Sequence, residues 1–281
     1  MKYYSREITN SHKYQKTYFI LLPDSFSSEM KYLLSIPKFI FTAWGGIFFT
    51  ITMIFVFPVY FIVFGTFGSS APRIAHRIAQ IWAKVVFTGF FIRLRISGKE
   101  LIDEKKTYVF AANHQSLLDI PAYVRCADNT SHFLAKEELT KIPILGYVIK
   151  KFYITVKRED KADRKKSLET MMNSILRGIS VFLCPEGTRN KTDGLLLDFR
   201  DGAFVLAIEA QIPIAVLTVM NSKKLLPPTG FFSLSPGTIH AKWDPPIETK
   251  GMKEEDIPAL KERVRNMMLK NIEEFNLTKS F

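Results

Sequence analysis

The stretch that decides the fold is "VFAANHQSLLDI", residues 109–120. It places a histidine at the end of an apolar run and an aspartate five positions later. On one continuous helix His114 and Asp119 would point roughly 140° apart, because each residue turns about 100°. They meet only if His114 ends a strand and Asp119 lies in the first turn of the helix that follows. The stretch therefore reads as strand, sharp turn, helix, with the turn carrying chemistry.

Outward from this point the chain alternates short apolar runs with helical segments. Strands are expected at 92–97 ("IRLRIS"), 107–112, 152–156 ("FYITV"), 179–184 ("ISVFLC") and 212–219 ("IPIAVLTV"), with a last, edge-like strand at 238–243. Helices are expected at 116–126, with Ser116 as its cap, and at 161–177, with Leu168, Met171, Met172 and Ile175 on one face. Two more are expected at 202–210 and at 253–275, the last exposed and charged. Strands alternating with helices define an α/β fold with a mainly parallel sheet flanked by helices. In such sheets the strand carboxyl ends carry the sites.

Ahead of residue 92 the composition differs, and the chain divides into an N-terminal membrane-anchoring helical region, 1–91, and an α/β domain, 92–281. Residues 39–68 contain no charged side chain. As a straight helix they would span roughly 45 Å against a hydrocarbon core of about 30 Å, so one span would tilt by close to 50°. The segment reads as one span with extra apolar turns or as a bent hairpin held in one leaflet, broken at Gly45-Gly46 or Pro58. Basic residues on both flanks (Lys31, Lys38, Arg73, Arg77, Lys84) give no clear orientation and favour the hairpin. The run is too long and begins too far from Met1 for a signal peptide. Residues 71–91 read as an amphipathic helix with Ile74, Ile78, Ile81, Trp82 and Val85 in one stripe, suited to a membrane interface or to packing on the domain.

The 281-residue chain is 47% hydrophobic and carries a formal net charge of +12. That charge points to an anionic partner. No nucleic-acid motif is visible, and the neighbouring apolar segment makes anionic lipid the simpler choice. Two distant cysteines, Cys126 and Cys184, supply neither a disulfide framework nor a metal cluster, and they fit a reducing compartment.

A second segment carries chemistry: "LCPEGTRN", 183–190, at the end of a strand. Gly187 permits a turn or close ligand approach, and Arg189 offers a planar fork for phosphate oxygens. "FYITVKR" places Arg158 after another strand. Arginines at strand ends that also deliver His114 indicate an anionic substrate. Lys136 and Arg200 are further candidate cations, and Asn113 is a candidate beside the histidine.

"NHQSLLD", "ITVKR", "PEGTR" and "IPIAV", in this order, resemble the four motifs of the glycerolipid acyltransferases, most closely the 1-acylglycerol-3-phosphate acyltransferases. "FRDGAFVLAIEAQIP" also fits that family, and the resemblance covers roughly 92–250. The chain departs from the family at Phe152 and Lys157 in the second motif and at Leu217 in the fourth. The resemblance implies acyl transfer from a thioester of coenzyme A or acyl carrier protein to the sn-2 hydroxyl of a lysophospholipid acceptor, 1-acylglycerol-3-phosphate, giving phosphatidic acid. It also implies that Arg158, Glu186, Gly187, Thr188 and Arg189 hold the acceptor's glycerol phosphate.

The residues suit that chemistry. His114 is the candidate general base, and Asp119 would fix its tautomer and stabilise the imidazolium. The lipid hydroxyl is itself the nucleophile, so no serine elbow is required, and no Gly-x-Ser-x-Gly occurs. Neither a metal nor a bound cofactor is expected. A domain that meets a lipid acceptor and a soluble donor is expected at the membrane, on the cytoplasmic face. The alternatives are another acceptor (glycerol-3-phosphate or a lyso-aminolipid), a lipid thioesterase or lipase, and a non-enzymatic basic membrane-surface protein.

Overall fold

The computed structural model describes residues 24–142, 145–157, 159–229 and 233–278, with the backbone alone at 24–36, 145 and 152. Its elements in chain order begin with helices α1 (Asp24–Thr66) and α2 (Ala71–Gly89), strands β1 (Ile92–Ser97) and β2 (Val109–Ala112), and helix α3 (Asp119–Cys126). Next come β3 (Ser131–Lys136), α4 (Leu145–Phe152), β4 (Tyr153–Val156), α5 (Lys161–Leu176) and β5 (Ser180–Leu183). The chain ends with α6 (Gly202–Ala210), β6 (Ile214–Met220), α7 (Ser222–Leu225), β7 (Gly237–Trp243) and α8 (Ile257–Thr278). The chain divides into two compact units, Met1–Pro37 and Lys38–Phe281. The sheet, α2 and the part of α1 from Lys38 onward belong to the second.

The strands form one seven-stranded sheet in the order β1-β7-β6-β2-β5-β3-β4. Every pairing is parallel except β6 with β7. The expected mainly parallel α/β sheet is present. The strand expected at 238–243 is β7, but it is not an edge: it lies between β1 and β6, and β1 and β4 are the edges. Its alternating polar residues fall on positions that the sheet leaves half-exposed. Strands β2, β5 and β6 are buried on both faces, as the continuous apolar runs of parallel sheets require. One face packs against α2 and α3 through Phe110, Tyr123, Phe133, Phe182 and Trp243. Tyr123 and Phe182 stack at 4.8 Å, and Phe133 and Phe182 at 5.1 Å. The other face carries α5, α6 and α8. The C-terminal helix is not simply exposed, because Leu260, Val264, Met268 and Ile272 bury one side of it.

The apolar N-terminal segment reads from sequence as one span with extra turns or as a hairpin bent at Gly45-Gly46 or Pro58, and neither bend is present. α1 is one unbroken helix through Gly45, Gly46 and Pro58. Thirty of its residues, Pro37–Thr66, are long and apolar enough to cross a membrane. The chain reverses instead at Phe67–Ser70, and α2 returns along α1. Trp44 Nε1 donates to the Gly89 carbonyl at 3.0 Å, and Trp82 Nε1 to Thr52 Oγ1 at 3.2 Å. Tyr60 meets the Ala75 carbonyl at 3.5 Å, so partners rise along one helix as they fall along the other. Glycine serves close approach here: a Cβ on Gly89 would lie 2.1 Å from the Phe48 ring. The most buried residues of α2 are Ala71, Ala75, His76, Ala83, Val86 and Phe87; of the expected stripe, Ile74, Ile78 and Trp82 are partly buried against core clusters, while Ile81 and Val85 are exposed.

Candidate active site

β2 ends at Ala112 in the middle of the sheet, and the next two residues finish it in different ways. The fully buried Asn113 amide continues the pairing: Nδ2 donates to the Val219 carbonyl at 2.8 Å and Oδ1 accepts the Val219 N–H at 2.7 Å. Asn113 therefore acts as a structural clamp beside the site. Its carbonyl accepts a hydrogen bond from the Tyr123 hydroxyl, whose pKa burial pushes well above the ordinary tyrosine value, keeping the group a donor.

His114 then turns toward α3. Its Nδ1 lies 3.0 Å from Asp119 Oδ2, the imidazole is partly accessible at 16%, and the carboxylate is fully buried. The same oxygen accepts the N–H groups of Gln115 at 2.6 Å and Ser116 at 2.7 Å. Three donors fix the carboxylate in place, while Asp119 Oδ1 is buried with no protein partner. With Asp119 accepting the proton on Nδ1, Nε2 is left as the acceptor nitrogen. The helix begins at Asp119, three residues later than expected, and Ser116 does not cap it. Its hydroxyl donates to the Leu226 carbonyl at 2.7 Å and accepts the Leu118 N–H at 3.2 Å.

The loop after β5 holds the histidine backbone from both sides. The His114 N–H donates to Glu186 Oε1 at 2.7 Å, and the His114 carbonyl accepts the Asn190 N–H at 2.7 Å. Glu186 Oε2 accepts the Leu197 N–H at 2.8 Å. Both oxygens of this nearly buried carboxylate thus serve backbone amides. Burial raises its pKa above the usual glutamate range, against the lowering effect of those two amides and of His114. The loop closes where the Arg200 N–H meets the Pro185 carbonyl at 2.8 Å. Gly187 has φ +68, and a Cβ there would fall 2.6 Å from Arg200 Nε. Glycine permits both the left-handed turn and the close lie of that guanidinium.

Thr188 and Arg200 are exposed and Arg189 is half-buried on the same loop. Lys136 ends β3 but is paired with Glu138 at 3.0 Å. Arg158 lies outside the described residues. A depression of ≈ 510 Å³ beyond β3 and β4 is lined by Glu137, Glu138, Lys141, Lys157, Glu159 and Asp160. The structure thus brings together Asn113, His114, Asp119, Glu186, Gly187 and Arg200. Asn190 and Ser116 in its present role were missed by residue type. Asn190 is 1% exposed, and its side chain also organises the turn through Thr192 and Gly194, a pattern that an Asn four residues before a Gly hints at. Among the described residues, no group of three or more His, Cys, Asp or Glu side chains is placed to hold a metal.

Residues 93–220 match a family model described as Acyltransferase. A chloroplastic 1-acyl-sn-glycerol-3-phosphate acyltransferase of Brassica napus is 32% identical over 174 residues, 61% of this chain and 50% of the relative. The alpha form of that enzyme from Mus musculus is 30% identical over 196 residues, 69% of this chain and 67% of the relative. The chain thus spans about half the length of the plant relative and two thirds of the mouse one. In fold it is similar to the crystal structure of the 1-acyl-sn-glycerophosphate (LPA) acyltransferase PlsC from Thermotoga maritima. That match has a TM-score of 0.72 at 24% identity and covers 85% of this chain and 97% of the other. With its His–Asp turn clamped by the "PEGTR" loop, the chain belongs to the acyltransferase family that includes the 1-acyl-sn-glycerol-3-phosphate acyltransferases.

Proposed function

We propose that this protein is a membrane-associated acyltransferase moving a fatty acyl group from a thioester to the sn-2 hydroxyl of 1-acylglycerol-3-phosphate, giving phosphatidic acid. The observation that carries this reading is the 3.0 Å contact between His114 Nδ1 and buried Asp119 Oδ2, on the loop edge that also carries Arg189 and Arg200. Nε2 accepts the proton of the lipid hydroxyl as its oxygen attacks the thioester carbonyl. Asp119 stabilises the imidazolium so formed. The tetrahedral intermediate collapses by breaking the carbon–sulfur bond, and the thiolate takes the proton back from His114. Arg189 and Arg200, with Arg158, bind the acceptor phosphate as charge-assisted hydrogen-bond donors. The donor is acyl-coenzyme A or acyl carrier protein, the acceptor enters from the bilayer, and the domain works on the cytoplasmic face. The unbroken apolar helix Pro37–Thr66 supports the membrane part of this reading.

The test is acyl transfer by the purified full-length protein in detergent. Both donor types are crossed with lysophosphatidate, glycerol-3-phosphate and a lyso-aminolipid, and free fatty acid is measured in parallel. Lysophosphatidate is expected to be preferred, and His114→Ala to lower the rate by about a hundredfold or more with the fold intact. An active His114→Ala variant, or free fatty acid as the main product, would end the proposal.

A further inference from the structure

Ser116 sits inside the catalytic turn and faces away from the imidazole's task. Its own N–H holds Asp119 Oδ2 at 2.7 Å, while its fully buried hydroxyl donates 2.7 Å to the carbonyl of Leu226, a residue 110 positions later. Leu226 follows α7, and its neighbour Leu225 accepts the Ser235 N–H at 2.8 Å, which closes the base of the β6–β7 connection. Next to Ser235, the Leu234 N–H donates 3.0 Å to Thr42 Oγ1 on α1, and Thr42 in turn donates 2.7 Å to the Lys38 carbonyl. Gly45, one turn along α1, makes room for Leu234: a Cβ there would lie 2.5 Å from Leu234 Cδ2. Gly45, not Gly46, thus marks a docking notch in the apolar run.

We propose that Ser116 is a positioning residue through which the loop base at Leu225–Leu226 and Leu234–Ser235 ties the His114–Asp119 turn to Thr42 on the apolar helix. Each link is a hydrogen bond or a single covalent step, so the carboxylate that orients His114 is set from two directions. One is its own helix, and the other is the membrane-facing helix through this relay. The loss of either end leaves Asp119 free to drift from Nδ1 without removing any group that touches substrate. Rate suffers from misplacement alone, because small displacements of catalytic groups cost turnover. The inference rests on the reading of His114 as the general base.

The experiment is a double-mutant cycle on the full-length protein reconstituted in phosphatidylcholine–phosphatidylglycerol vesicles, with Ser116→Ala, Thr42→Val and the pair. Thr42→Ser serves as the rescue and His114→Ala as the control. Each single variant is expected to lower kcat by about three- to thirtyfold with both KM values within about twofold. The double variant should be no slower than about twice the effect of the worse single variant, because the relay is already cut. Thr42→Ser, which keeps the hydroxyl, should restore the parent kcat. Multiplying effects in the double variant, a change confined to KM, or single variants with parent kcat would each overturn the proposal. If Ser116→Ala does not fold, Thr42→Val with its Thr42→Ser rescue decides on its own. An active His114→Ala variant defeats the base reading and this inference with it. An inactive one alongside additive effects defeats this inference alone.

Discussion

Glu186 reaches across from the end of β5 to accept the peptide N–H of His114 at 2.7 Å, so a carboxylate of the third motif fixes the backbone of the first. With its other oxygen on Leu197 N–H at 2.8 Å, it is a brace between two loops. Glu186→Gln replaces one acceptor with an N–H₂ group facing an N–H donor. The expected cost is about 1–3 kcal/mol of stability. kcat should fall at least about tenfold with an acceptor KM near that of the parent. Steady-state kinetics with varied lysophosphatidate checks this, and a rise in KM alone would return Glu186 to a ligand role.

The same residue gives a pH dependence. Burial raises its folded pKa above the ordinary glutamate value, so the folded chain keeps this proton to higher pH than the unfolded chain. Stability from this group is full below the ordinary value and declines as pH rises through the raised one. Glu186→Gln lacks the titration. The Tm of the parent minus that of the variant should therefore shrink as pH rises from about 4 toward neutrality. A difference that widens over the same range would contradict the assigned direction.

Asp119→Asn is nearly isosteric, yet it puts an amide where three donors converge on Oδ2: Nδ1 of His114 and the N–H groups of Gln115 and Ser116. The imidazole loses its tautomer bias. By analogy with hydrolytic triads, kcat should fall by up to about 10⁴. Single-turnover acyl transfer would show the loss in the chemical step, with donor and acceptor binding retained.

Gly187→Ala combines backbone strain at φ +68 with a clash against Arg200 Nε at 2.6 Å. The strain costs about 1–2 kcal/mol, and the displaced guanidinium should raise the acceptor KM more than the donor KM. Isothermal titration with lysophosphatidate would detect the weakened binding. Equal affinity for parent and variant would remove Arg200 from the acceptor site.

Central elements were legible because their physics is local. The apolar run Val109–Ala112 and the run Ile214–Met220, broken only by Thr218, can be buried only between two neighbours. The His–Asp spacing works only across a strand–helix turn. What escaped depends on partners remote in sequence. β3, "SHFLAK", alternates buried Ser131, Phe133 and Ala135 with half-buried His132, Leu134 and Lys136, too weak an apolar pattern to stand out, and exists because β4 and β5 flank it. β7 looked like an edge because its second neighbour, β1, comes from the start of the domain. On α2 the expected stripe divides, with Ile74 and Ile78 packed inward and Ile81 exposed, because alanines, weak in any hydropathy pattern, make up much of the buried side. Glu186 and Thr188 sit two residues apart in one motif, yet only coordinates separate a brace from an exposed side chain.

The pairing of β1 with β7, Ile92 against Gly237 through Ser97 against Lys242, also bears on biosynthesis. β1 leaves the ribosome directly behind α1 and α2, yet β7, its one partner strand among the described residues, is the last strand of the sheet to be made. Until then the nascent chain carries an orphan strand, open to mispairing or to chaperone capture. A stop codon anywhere before β7 would yield a product that cannot complete its sheet, however intact its His–Asp turn.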